Sequence, residues 1–119
     1  MAAIALNKFR TVRVGITTEM VGIYTCPIGV ASIITLAQVT NISEGEDIGV
    51  YKVTAIHSRN SESPSDYKFA NQISIPPNDG LNLLSDGKMA LETNDVIKIQ
   101  ADENNKLELI LSILETAKQ

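Results

Sequence analysis

The chain has 119 residues, 44% of them hydrophobic and 20% charged, with ten basic against fourteen acidic side chains and a formal net charge of −4. That length is one domain around one core, and that composition belongs to a globular chain rather than a disordered one. The acidic balance excludes a phosphate-binding surface built on clustered Lys and Arg, and Phe9, Tyr24, Tyr51, Tyr67 and Phe69, with no Trp, leave little for a platform that stacks sugars or bases.

Residues 1–10, MAAIALNKFR, lack the alternation seen later and read as an extended N-terminal arm, with the globular domain at 11–119. The arm nevertheless carries Ile4, Leu6 and Phe9, side chains that a purely solvated tail would seldom keep, so these are candidate interface residues. Lys8, Arg10 and Arg13 are spaced along one extended segment, the pattern that keeps an edge strand soluble. No basic region precedes the short apolar patch, so it does not read as a signal peptide. No run approaches the roughly 18 apolar residues of a membrane span. The expectation is a protein made soluble in a cytoplasm, with neither membrane nor nucleic acid as partner.

Val12, Val14 and Ile16 alternate with Arg13, Gly15 and Thr17, which predicts a half-buried strand. A second strand over 21–25 ends at Cys26-Pro27-Ile28-Gly29, which fits a type I turn with Pro second and Gly fourth. Residues 30–41 form the longest strand candidate. Strict alternation puts Ile33, Thr35, Ala37 and Val39 on one face, and Ile34 with Leu36 on the other. A strand apolar on both sides is central in a covered sandwich or lies at a subunit contact, so Ile34 and Leu36 join the candidate interface. Residues 41–47 are an acidic loop, 49–57 a strand, and 58–65 a polar loop. Tyr67, Phe69, Asn71, Ile73 and Ile75 mark another alternating strand, stopped by Pro76-Pro77. Asp86-Gly87 is a hairpin signal that predicts positive φ at Gly87. Strands follow at 89–91 and 96–101. The segment 106–116 fits both periodicities, and consistency with the preceding strands favours a strand. The fold expected is all-β, a single antiparallel β-sandwich of about eight strands, jelly-roll or Ig-like.

The residues offer no chemistry. His57 is the one histidine, and Ser58 or Ser63 could be drawn beside it, but no nucleophile-elbow pattern is present. One His and one Cys are too few for a zinc site. The acidic loops around Glu44, Glu46 and Asp47 and around Asp102 and Glu103 lack the alternating oxygen ligands of a calcium loop. No glycine-rich phosphate cradle is present. Cys26 has no basic neighbourhood and reads as a small buried side chain. Catalytic, cofactor-binding and metal-binding residues are therefore all expected to be none.

The order of motifs resembles a family of small structural proteins in the virions of tailed bacteriophages, notably those of marine bacteria. The resemblance rests on a threonine-containing first strand at 15–18, a Tyr-Thr-x-Pro-x-Gly turn at 24–29 and a long apolar strand ending at Asn41. It continues through a Pro-rich turn at 75–80, Leu83-Leu84, an Asp-Gly-Lys-Met step at 86–89, Leu-Glu-x-x-Asp-x-Ile at 91–97 and Leu-Ser-Ile-Leu-Glu at 111–115. It covers nearly everything after residue 10. Asn94 stands where the family usually has Gly, and Asn tolerates the left-handed backbone such a turn needs. The resemblance implies no catalytic residues. It implies a subunit of the virion, assembled in the host cytoplasm, partnered by itself as a homo-oligomer and by other virion proteins. The alternative is a host-surface or carbohydrate-binding module of a phage fibre, using the loops at 41–47 and 58–66 with Tyr51 and Tyr67 beside them.

Overall fold

The computed structural model describes residues 7–117. They form nine strands and one short 3-10 turn, Gly45–Asp47. The strands are β1 (Asn7–Gly15), β2 (Val21–Thr25), β3 (Val30–Asn41), β4 (Tyr51–Ser58), β5 (Asp66–Ile75), β6 (Gly80–Asn82), β7 (Met89–Leu91), β8 (Val96–Ala101) and β9 (Leu107–Ala117). One sheet runs β1-β9-β3 and then β6 and β7, which pair with successive parts of β3. The other runs β2-β8-β4-β5. Every pairing is antiparallel.

The pairs are nested: β1 with β9, β2 with β8, β3 with β6 and β7, and β4 with β5. Such nesting is one long antiparallel ribbon rolled up so that alternate pairs fall in alternate sheets, which is the jelly-roll form of the sandwich. Of the two expected topologies, this is the one present.

The core between the sheets is aliphatic because the alternating positions are. In β9, Leu107, Leu109, Leu111 and Ile113 are all buried, which settles the ambiguous last segment as a strand. Ile97, Ile99 and Ala101 face them from β8, and Val53 and Ala55 from β4. Each large side chain removed from water contributes about 1.5–3 kcal/mol.

Three local features depart from simple alternation. Asn7 to Arg10 pair with Thr116 to Ile113, so β1 starts within the segment read as an arm. The alternation is hidden there because the inward positions beyond Val12 are Arg10 and Lys8, which lie at the rim opposite Ile113 and Glu115.

In β3, Ile34 opposes Ile113 and Leu36 opposes Ser112, leaving Thr35 as the extra residue of a bulge. Its hydroxyl donates to the Ser112 carbonyl at 3.2 Å. The bulge shifts the facing by one. Ser32 and Ile34 point inward before it, and Ala37, Val39 and Asn41 point inward after it.

Asp86-Gly87 does not close a hairpin, because β6 and β7 pair with β3 rather than with each other. The Asn82 side chain takes the place of a ladder residue, accepting from the Ala37 amide at 3.0 Å and the Leu84 amide at 3.2 Å. Leu83 and Leu84 then pack against the core. The positive φ in this excursion, 55°, falls on Ser85 and not on Gly87. The left-handed glycine of the resembling motifs is Gly29, at φ 78°, and Asn94 is left-handed at 71°.

Strand direction sorts the loops into two ends. The loops after β1, β3, β5 and β8 gather at one end, and those after β2, β4 and β7 at the other. Asn41 anchors the crossover from β3 to β4. Its amide donates to the carbonyls of Gly49 at 2.7 Å and Ile75 at 2.9 Å, and its oxygen accepts from the Ser43 amide at 2.9 Å.

Candidate assembly surface

The solvent side of the β1 sheet carries a cross-strand apolar row. Phe9 opposes Leu114, Leu114 opposes Ile33, and Ile33 opposes Ala90, so four adjacent strands place these side chains on one face. Leu36 and Ile110 lie on the same face, one and two same-face pairs further along. Phe9 is 82% exposed and Ile110 42%. Ile33, Leu36 and Leu114 are half-buried, and Thr11, Arg13, Gln38 and Ser112 share the face with them.

The row ends at an open edge. β1 is the terminal strand of its sheet, and no strand pairs with its far side among the described residues. The Ile16 amide donates to the Leu107 carbonyl at 2.9 Å. Backbone direction alternates along a strand, so Ile16 sets the parity. Even-numbered residues of β1 turn their backbone groups to β9, and Asn7, Phe9, Thr11, Arg13 and Gly15 turn theirs outward.

The expected interface residues separate in the structure. Phe9 and Leu36 belong to the solvent face of the β1 sheet. Ile34 does not: it is 2% exposed and packed in the core, because the Thr35 bulge moves it to the opposite face from Leu36. Ile4 and Leu6 lie outside the described residues. Strict alternation found neither Leu114 nor Ile33. Both occupy outward positions that become a patch only when β1, β9 and β3 are side by side.

The two loops expected to share a glycan site, at 41–47 and 58–66, lie at opposite ends of the sandwich. They are separated by the eight residues of β4, about 26 Å of strand. Tyr51 and Tyr67 are separated with them, so these residues do not converge on one site.

Two polar clusters sit at the end that holds Cys26. In the first, Asp95 is 1% exposed and accepts from Arg59 at 2.9 Å (Nε) and 2.7 Å (Nη2), and from the Glu92 amide at 2.8 Å. His57 Nε2 lies 3.0 Å from Asp95 Oδ2. The Arg59 guanidinium, then the Glu92 amide and His57, outweigh burial and hold the Asp95 carboxyl down at about 2. The same carboxylate raises Arg59 above its ordinary range. Asp95 and Cys26 exchange the backbone around them as well: the Cys26 amide donates to the Asp95 carbonyl at 2.8 Å, and the Asn94 amide to the Cys26 carbonyl at 2.9 Å. The cluster clamps the loops after β2, β4 and β7 together. A shallow depression of about 560 Å³ lies beside it, lined by Thr25, Arg59, Asn60, Thr93 and Asn94. The sequence showed His57 and Asp95 only as isolated residues, because the pair forms across β4 and the turn before β8.

The second cluster joins the two sheets. The Tyr24 hydroxyl, from β2, donates to Glu115 of β9 at 2.5 Å and lies 2.8 Å from the Ser32 hydroxyl of β3. Arg10 reaches Glu115 at 3.6 Å. Burial first, and then the Glu115 carboxylate, raise the Tyr24 phenol above its ordinary range. Cys26 is fully buried beside Ser32, with its sulfur 3.3 Å from that hydroxyl. Among the described residues every buried side-chain nitrogen and oxygen has a hydrogen-bond partner, and no three His, Cys, Asp or Glu side chains gather as metal ligands.

No protein-family model matches the chain, and no curated protein matches its sequence. Solved structures do match its fold. A chain of the disulfide-linked pili that form Bacillus endospore appendages aligns with a TM-score of 0.57 at 8% identity, covering 100% of this chain and 98% of that one. A chain of the acid-stable capsid of Helicobacter pylori bacteriophage KHP30 aligns with a TM-score of 0.56 at 9% identity, covering 97% and 90%. At these identities the likeness is one of fold: an all-β sandwich of the kind found in a phage capsid and in a pilus.

Proposed function

We propose that this chain is a non-enzymatic structural subunit of a tailed-phage particle, a component of the capsid, neck or tail that acts by repeated protein–protein contact. The observation that carries this reading is the row Phe9, Leu114 and Ile33 on the solvent side of a sheet, running to an open strand edge. Phe9 stands open and Leu114 and Ile33 are half-buried in a single copy, whereas a repeated contact would cover them. The partners are further copies of the chain and other virion proteins, and the place of action is the virion.

Three observations support the reading. The order of motifs resembles virion proteins. The fold is shared with a phage capsid chain and a pilus chain, both from repeating assemblies. The two polar clusters have their hydrogen-bonding groups engaged with one another, a use that holds loops and sheets in place. The contacts would be non-covalent, unlike those of the disulfide-linked pili, because the single cysteine is sealed in the core.

The test is to purify particles on a density gradient from the culture that produces this chain and to quantify it by mass spectrometry. The expected result is co-migration with particles at a fixed copy number across fractions. Its presence only in the soluble fraction, with none in particles, overturns the reading.

A further inference from the structure

We infer that two copies of this chain pair through β1, antiparallel across a two-fold axis at Thr11, and so join their β1 sheets into one continuous sheet. This deepens the structural role proposed above by naming the partner and the contact.

β1 leaves one side of its backbone open. Asn7, Phe9, Thr11, Arg13 and Gly15 turn their amides and carbonyls away from β9, over a strand of nine residues. An edge of that length is a template for another strand. Two-fold antiparallel pairing keeps inward residues opposite inward ones and outward opposite outward, so only registers centred on a residue are allowed. Charge then chooses among them, since like charges directly opposite one another are destabilising.

Centring on Arg10 sets Arg10 against its own copy. Centring on Val12 avoids that clash but leaves Asn7 and Lys8 unpaired. Centring on Thr11 pairs all nine residues: Asn7 with Gly15, Lys8 with Val14, Phe9 with Arg13, Arg10 with Val12, and Thr11 with itself. No two cations are then directly opposed. Phe9, 82% exposed in the single copy, lies against the guanidinium of Arg13 from the other, a favourable cation–π geometry. In that register Lys8, Arg10 and Arg13 act as a register code: they permit the pairing centred on Thr11 and oppose its Arg10-centred neighbour.

The outward residues are the ones whose backbone groups face the edge, so Thr11 and its copy form a hydrogen-bonded pair. Their Cα atoms then lie about 5.5 Å apart, within disulfide range. Thr11 is exposed and Cys26 is buried, so Thr11→Cys adds the single accessible thiol among the described residues.

The test measures the association of the full chain by sedimentation, followed by mild oxidation of two cysteine variants. The wild type is expected to dimerise. Thr11→Cys is expected to cross-link into a disulfide dimer, while Lys8→Cys, about 20 Å from its copy in this register, is not. Phe9→Lys, which opposes Arg13 with a like charge, should weaken dimerisation at least tenfold. Phe9→Glu should preserve or tighten it, and Arg13→Glu should restore the Phe9→Lys variant. A wild type that stays monomeric at high concentration overturns the pairing, as does equal loss in Phe9→Lys and Phe9→Glu, or cross-linking through Lys8→Cys in preference to Thr11→Cys. A monomer that still co-migrates with particles would defeat this inference and leave the structural role standing, whereas a dimer absent from particles would do the reverse.

Discussion

Ile34 and Leu36 are two residues apart in one strand and face opposite sides of the sheet, Ile34 against Ile113 in the core and Leu36 beside Ser112 on the solvent face. Thr35 between them is the bulge residue, and it reverses the facing of everything that follows. Ile34→Ala should therefore cost about 2–5 kcal/mol as a core cavity, and Leu36→Ala clearly less, as read by chemical denaturation. Deleting Thr35 should be tolerated far better than deleting Gln38, since removing the bulge leaves both flanks in register with β9. If the two deletions are equally damaging, the bulge assignment is wrong.

Gly29 and Gly87 should exchange the roles their sequence contexts imply. Gly29 has φ 78° and Gly87 is not left-handed. Gly29→Val is expected to lower stability by about 1–3 kcal/mol through backbone strain. Gly87→Ala should cost less, its added carbon meeting only the Leu84 carbonyl at 3.2 Å. Thermal melts of the two variants decide the matter, and the reverse ranking would count against the turn geometry.

Asp95 makes stability depend on acid. Its carboxyl is held down at about 2 in the folded chain by Arg59, against an ordinary value of 3.8. A depressed folded value means stabilisation that is fully present above about pH 4 and is lost as the pH falls towards 2. The loss is on the order of 2 kcal/mol. Urea titrations should show a steeper decline over that window in the wild type than in Asp95→Asn, which has no such carboxyl. Parallel pH profiles would refute the pairing.

Tyr24→Phe should cost about 1–3 kcal/mol, because removing the hydroxyl leaves Glu115 and Ser32 short of a buried partner. Tyr24 lies in one sheet and Glu115 in the other, so the loss should appear as weaker coupling between the sheets. Hydrogen exchange should quicken in β2 before β3. Uniform change across both sheets would argue for a general packing defect instead.

Truncation separates the strand from whatever precedes it. Two truncations, of residues 1–6 and of residues 1–10, differ only in Asn7 to Arg10. Removing 1–10 should give the lower melting temperature of the two, since Asn7 to Arg10 pair with β9 and Arg10 reaches Glu115. Identical melts for the two truncations would show that this part of β1 adds nothing to the sandwich.

The sequence alone determined the class and the core. Alternation at 96–101 and 107–113 and scarce aromatics are local properties, and they dictate an aliphatic two-layer β fold whatever the strand order. Phe9 was legible as a candidate for contact because an aromatic ring in an otherwise polar stretch, NKFR, needs no tertiary knowledge to stand out, and the structure leaves it 82% exposed. What only the tertiary structure decided were relations between distant residues. The facing of Ile34 depends on a bulge, which the pairing with β9 creates. The turn at 83–88 depends on the Asn82 side chain reaching an amide of β3, which overrides the intrinsic preference of Asp-Gly for a hairpin. The row Phe9, Leu114 and Ile33 exists only when strands far apart in the chain lie side by side. Periodicity reports which side of its own strand a residue takes, and only the register between strands reports what stands next to it.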